Sequence, residues 1–222
     1  MTRPVRRTGR FAALAALALA CLASAEVAMA IEQPEYTVVR EEGAFELRRY
    51  APYLLAETEV DAGFMSAGNV AFGRLFRYIS GANTTRTEIA MTAPVEQARD
   101  AGAGRGEKIA MTAPVSQVAD GGAYRVAFTL PATYTLKTAP KPLDPTVQIR
   151  EVPAQLIACW RYTGRWTESN YREHEELLRE QIAKRGLVTH GEPILARYNP
   201  PFTPWFMRRN EVMIPVKLPP KR

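Results

Sequence analysis

The seven residues Ile89-Ala-Met-Thr-Ala-Pro-Val95 return unchanged as Ile109-Ala-Met-Thr-Ala-Pro-Val115. On an extended chain Ile89, Met91, Ala93 and Val95 take one side and Ala90, Thr92 and Pro94 the other, the period-two pattern of a half-buried strand. The second copy, with Met111 in the place of Met91, repeats that pattern. Pro94 and Pro114 have no N–H to give to a ladder, so each belongs at a strand end, an edge or a bulge. Residues 96–108 between the copies are polar and carry Gly102, Gly104 and Gly106, which makes them a loop. The unit is strand, loop, strand, and it needs further strands to pair with.

The rest of the chain supplies them. Residues 36–40 and 45–49 read as two short strands around Glu41-Glu-Gly43, residues 53–60 as a third entered at Pro52, and residues 124–130 as another. Between them the period changes. Phe72, Leu75, Phe76 and Ile79 stand at i, i+3, i+4 and i+7, one apolar helical stripe that Gly81 ends. Arg74, Arg77 and Tyr78 share the neighbouring face. A second helix starts after Thr167, a residue type that caps helices, carries Tyr171, His174, Leu178 and Ile182 along one stripe, and stops at Gly186. Strands over 193–198 and 211–216 follow. Leu47-Arg-Arg-Tyr-Ala-Pro-Tyr-Leu-Leu-Ala56 aligns without a gap on Ile149-Arg-Glu-Val-Pro-Ala-Gln-Leu-Ile-Ala158, so the second half repeats the first in outline, over residues 34–130 and 147–217. Residues 131–146, rich in Pro and Thr, link the halves. Two sheet-plus-helix halves most simply bury their apolar sides against one another, which predicts an α+β fold.

Residues 1–30 have a different character. Arg3, Arg6, Arg7 and Arg10 precede an apolar run from Phe11 to Leu22, and small residues follow at Ala23-Ser-Ala25 and Ala28-Met-Ala30, the layout of a secretory signal peptide. The expected product is a single domain over 31–222, periplasmic or secreted. A lipid anchor at Cys21 fits the residues around it less well. The run is too short for a bilayer span, which takes about 20 apolar residues, so no transmembrane segment is expected in the mature chain. Loss of four Arg and one Glu with this segment takes the formal charge from +6 to +3. No basic tract interleaved with aromatics remains, so no nucleic-acid partner is inferred. Cys159 alone is left, and no intrachain disulfide can form.

Three stretches in this order, Ala71-Phe-Gly-Arg-Leu-Phe-Arg-Tyr-Ile79 with Gly81-Ala-Asn83, the Ile-Ala-Met-Thr-Ala-Pro-Val motif, and Phe206-Met-Arg-Arg-Asn-Glu-Val-Met-Ile-Pro-Val216, resemble the SOUL haem-binding family over residues 34–217. The resemblance implies a distorted antiparallel β-barrel of duplicated strand–helix–strand halves, flanked by two helices. It also implies a tetrapyrrole site along the first helix, with haem as a non-covalent ligand. The family's basic position before the Leu is here Arg74, with Arg77 one turn on. Both are candidate propionate partners, with Leu75 and Tyr78 beside them. A haem site also takes an axial donor. His174 on the second helix is the axial candidate, although a lone His on a stripe is more often packed. Met91 and Met111 are candidate contacts and soft donors, although Met at strand spacing is more often core.

Enzyme templates fail: there is no Gly-x-Ser-x-Gly elbow, no His-Glu-x-x-His, no paired Cys motif and no phosphate-cradling loop before a helix. The reading is therefore of a binding protein rather than an enzyme. Its partner is a tetrapyrrole, or alternatively another amphipathic small molecule such as a lipid or pigment, an option kept open by the absence of any His in the first half. A hydrolase-like activity or a pure interaction role on the same scaffold is the third class. Asn83-Thr-Thr85 matches a glycosylation acceptor.

Overall fold

In the computed structural model, which describes residues 31–84 and 106–219, the alternating segments near the start pair as a hairpin. β1 (Tyr36–Glu42) and β2 (Phe45–Tyr50) run antiparallel through a turn in which Gly43 takes φ +62°, a conformation that favours glycine. β3 (Tyr53–Val60) leads into α1 (Phe64–Ile79) and the short β4 (Asn83–Thr84). After the undescribed 85–105 come β5 (Val115–Asp120), β6 (Ala123–Thr129) and the short β7 (Lys141–Pro142). The second half holds β8 (Val147–Val152), β9 (Gln155–Tyr162), α2 (Glu168–Lys184), β10 (Val188–Thr189), β11 (Ile194–Arg197), a single 3-10 turn (Trp205–Met207) and β12 (Asn210–Lys217).

The long strands form one antiparallel sheet in the order β1-β2-β9-β12-β11-β5-β6-β3-β8, with β10 beside β12. β4 and β7 pair separately. The path has two ends, β1 and β8, so the expected barrel does not close among the described residues. Among the described residues the fold is α+β, one large antiparallel sheet with two helices.

Both helices lie on the same face. Following the registers across the sheet, Ala158 stands opposite Ile214, Val212 opposite Leu195, Leu195 opposite Gln117, Gln117 opposite Val126 and Val126 opposite Thr58. Leu54, Ala56, Val60, Val126 and Phe128 on this face pack under α1, and Ala158, Val212, Ile214 and Leu195 under α2. α2 buries Tyr171, Leu178 and Ile182 along the predicted stripe. Thr167 Oγ1 accepts from the Asn170 N–H at 3.3 Å, and the helix stops before Gly186, which has φ +64°. Each buried Leu or Phe contributes on the order of 1.5–3 kcal/mol. The opposite face carries Tyr50, Ile157, Cys159, Met213, Leu55 and Ala127. Burial pushes the Cys159 thiol above its ordinary value, as for an unreactive thiol. All four apolar clusters fall within Glu32–Arg222, which is a self-contained unit.

Two expectations change. α1 begins at Phe64, about two turns before Phe72, the first residue of the predicted stripe, and its buried face is Phe64, Ala67, Gly68, Ala71, Leu75, Tyr78 and Ile79. Phe72 and Phe76 therefore face outward, 37% and 46% exposed. The second copy of the repeated heptad is not a strand before Val115. Ile109, Thr112, Ala113 and Pro114 are buried while Ala110 and Met111 are exposed, which breaks the period of two. Its backbone bonds to different partners, Ile109 N–H to Ile79 O and Ala113 N–H to Glu32 O, so no single strand dictates alternation. Pro114 does sit immediately before β5, as its missing N–H requires. The first copy, with Met91, lies outside the described residues, as do the signal-like residues 1–30.

Candidate ligand-binding site

The outward face of α1 is more apolar than a solvated helix needs. Met65, Phe72 and Phe76 fall on one edge of it, and the Phe72 and Phe76 rings stack with centroids 5.8 Å apart and planes 11° from parallel. Phe72 is held from behind by Phe128, edge to face at 5.3 Å. Arg77 and Arg74 fall on the other edge, roughly a third of a turn or more away. Gly73 lies between the two edges. A Cβ there would meet nothing nearer than Arg77 Nη1 at 3.9 Å, so this part of the helix surface is bare backbone in open space. The face thus has an aromatic rim, a flat strip and a cationic rim.

The cations are not idle. Arg74 donates from Nη1 to Glu59 O at 3.1 Å and Thr58 Oγ1 at 3.3 Å, which pins it to β3. Arg77 Nη2 stands 3.6 Å from Asp144 Oδ2. The Asp144 carboxyl is held below its ordinary range, first by the Thr146 hydroxyl and N–H and then by the charges of Arg74 and Arg77. One half-buried carboxylate therefore already partners Arg77. A largely exposed pair of this kind is worth about 0–1 kcal/mol.

The C-terminal end of α1 is fastened by Asn83. Its Nδ2 donates to Tyr78 O at 2.7 Å and Glu107 O at 2.8 Å, and its Oδ1 accepts from the Glu107 N–H at 2.9 Å. Tyr134 donates to Glu107 as well. The helix end and Glu107 are thereby tied at one point. The same bonds remove Asn83 as a glycan acceptor, because its amide is buried and fully engaged.

The remaining predicted residues divide. Leu75 and Tyr78 are in the core, with the Tyr78 hydroxyl donating to Pro140 O at 3.0 Å, so they support the face from beneath and do not line it. Met111 is exposed. His174 is elsewhere: its Nδ1 is 2.7 Å from Asn170 O and its ring lies flat on Tyr162 at 4.0 Å. No hydrogen bond or ring contact joins it to α1 among the described residues. Sequence periodicity missed Phe72 and Phe76 as surface residues. The available signal was the surplus of large apolar side chains on α1 beyond what one buried stripe can hold.

The helix-free face of the sheet holds a concavity, a cleft of about 310 Å³ walled by Tyr50, Tyr53, Leu55 and Met213. At its polar end the largely buried Glu57 carboxylate accepts from Arg150 Nε at 2.9 and 3.0 Å. This volume is at the small end of ligand pockets.

The fold recurs among solved structures. The C-terminal domain of EcmrR is 11% identical, with 82% of this chain and 98% of that one covered, at a TM-score of 0.55. EcmrR in a complex with DNA is 10% identical, with 92% of this chain and 65% of that one covered, at 0.54. A structure described as a hydrolase from Listeria innocua is 9% identical, with 81% and 94% covered, at 0.50. At these identities the likeness is one of fold alone. No curated protein sequence matches the chain. The family model described as SOUL heme-binding protein matches residues 31–215, nearly the whole described structure and all three of the stretches that carry the resemblance. This chain belongs to the SOUL haem-binding protein family.

Proposed function

We propose that this protein is an exported tetrapyrrole-binding protein and that the macrocycle lies on the outer face of α1, against Phe72 and Phe76 and across Gly73. The propionates reach Arg77 and Arg74 in exchange for Asp144. The observation that carries this reading is the stacked, outward-facing Phe72–Phe76 pair beside two arginines. The residues present suit an apolar ring with acidic substituents, and Met65, on the aromatic edge of α1, and Met111 are exposed soft donors. The chemistry that bound haem would supply is that of its iron; what this chain supplies is contact area and charge. The protein is read as a binder without turnover. The Arg-rich start and apolar run of residues 1–30 support export. The strand order supports duplicated halves: β2-β9-β12-β11 and β8-β3-β6-β5 mirror one another about the β11–β5 pair.

A second reading rests on the cleft by Glu57 and Arg150, which suits a small amphipathic molecule other than a tetrapyrrole. The two are separated by an absorbance titration of residues 31–222 with ferric haem and with metal-free protoporphyrin. Saturable one-to-one binding of both supports the α1 face, with iron coordination secondary. Binding of haem alone points to an iron ligand, to be sought first at Met111. Binding of neither moves the function to the cleft. Arg74→Gln with Arg77→Gln is expected to weaken porphyrin binding roughly fivefold, as suits exposed charge pairs. Unchanged affinity in that double variant removes the propionate assignment.

A further inference from the structure

We infer that the loop over residues 200–207 is a docking surface for an anionic lipid bilayer. Phe202 is 85% exposed and Phe206 60%, and Trp205 and Met207 beside them are exposed as well. The loop is held in this presentation. Thr203 N–H donates to Pro200 O at 3.1 Å and Met207 N–H to Pro204 O at 2.9 Å. Arg208 donates to Thr203 O at 2.8 Å and Pro201 O at 2.7 Å, and the Gly164 N–H to Trp205 O at 3.1 Å. Three prolines, Pro200, Pro201 and Pro204, stiffen it further. Apolar side chains displayed on a rigid turn lose little further freedom on burial, which favours insertion into a soft phase.

Charge selects the partner. Residues 199–209 and the adjoining 161–167 contain no Asp or Glu. Arg165 lies over the Trp205 ring at 5.6 Å and Arg208 over Trp166 at 4.1 Å. Among the described residues neither makes an ion pair with a carboxylate; the acceptors of Arg208 are neutral carbonyls. Aromatic and Met side chains flanked by uncompensated arginines match the boundary between acyl chains and acidic headgroups, where Trp and Phe settle and each Arg is drawn to negative lipid. No helix among the described residues is long and apolar enough to cross a membrane, so the contact is peripheral.

The test is co-sedimentation of residues 31–222, the self-contained unit without the apolar run of the first 30, with two kinds of vesicle. One is phosphatidylcholine alone, the other phosphatidylcholine and phosphatidylglycerol three to one. Binding is expected to the mixed vesicles, to be at least about tenfold weaker without phosphatidylglycerol, and to fall with added salt. Phe202→Ser with Phe206→Ser is expected to lower partitioning by about tenfold or more with an unchanged thermal midpoint, since both rings are on the surface. Arg165→Gln is expected to lower it about threefold. The proposal is overturned by absence of binding to the mixed vesicles, by equal binding of the Phe double variant, or by Phe-dependent self-association without lipid, which would make the loop a contact between copies of this chain.

Discussion

Glu211→Ala is expected to cost this fold about 3–5 kcal/mol, the largest loss of any single charged side chain in the sheet. Glu211 is fully buried and both of its oxygens are saturated. Arg48 donates from Nη1 and Nη2 at 2.7 and 2.9 Å, Arg209 from Nη2 and Nε at 2.7 and 3.0 Å, and the Tyr198 hydroxyl at 2.7 Å. Arg48 is itself buried, and its other contacts are Glu46 at 2.8 Å, the Tyr50 hydroxyl and the Tyr36 ring. Removing the carboxylate leaves a buried guanidinium with half its hydrogen bonds gone and only Glu46 facing it, and that loss of compensation is the source of the cost. A urea midpoint at neutral pH measures it, and the thermal midpoint is expected to drop on the order of 10 °C. Arg48→Met with Glu211→Leu should recover part of the loss, because the fully buried guanidinium is then gone and the groups left without a partner, Arg209 and Glu46, are only half-buried. A Glu211→Ala loss under about 1 kcal/mol would show that water reaches the network.

The same group sets an acid limb. Burial alone would push the Glu211 carboxyl up, but the hydrogen bonds and charge of Arg48, with Arg209 and the Tyr198 hydroxyl, outweigh it and hold it below the ordinary range. A carboxyl depressed in the folded state contributes stability above its unfolded pKa, near 4.3 as an approximate value, and loses it as pH falls from there through the folded value. Thermal midpoints from neutral pH downward should decline less steeply in Glu211→Gln than in the natural chain over that acid range.

None of that network is legible in the sequence. Arg48 and Glu211 stand in different halves, and a charged residue within a strand pattern reads as solvated until the register places both on one face. β3 and α2 are legible because local physics decides them: one is a β-prone run entered at Pro52, and the other has a capping Thr167 and a terminating Gly186. α1 was half legible. Its buried face is made of Ala67, Gly68 and Ala71 as much as of Leu75 and Ile79, and small residues pack by letting backbones approach without producing a strong hydrophobic period. The larger Phe72 and Phe76 took their place in the sequence reading, which is why a helix was found and its outward face was not. Met111 shows the opposite failure: a perfect alternation at 109–115 is overridden by tertiary hydrogen bonds from Ile109 and Ala113 to two unrelated segments. Arg74 and Arg77 were legible as neighbours on a helix face, but Asp144, the carboxylate that engages them, comes from the linker between halves and has no local signal.

Phe72→Ser with Phe76→Ser is expected to weaken tetrapyrrole binding on the order of a hundredfold, since two aromatic contact surfaces are lost and each tenfold corresponds to about 1.4 kcal/mol. The effect exceeds that of the arginines because apolar contact is not screened by solvent and an exposed ion pair is. Phe72 also touches Phe128, so part of any loss could come from a disturbed helix, and a second substitution separates the two. Gly73→Leu places a side chain on the bare strip, where a Cβ meets only Arg77 Nη1, at an ordinary 3.9 Å. Leu is a better helix former than Gly by roughly 0.5–1 kcal/mol, so the thermal midpoint should rise while porphyrin affinity falls at least about tenfold. A structural disturbance would move both quantities down; only a ligand lying across residue 73 moves them in opposite directions. Retained affinity in Gly73→Leu would take the macrocycle off the outer face of α1.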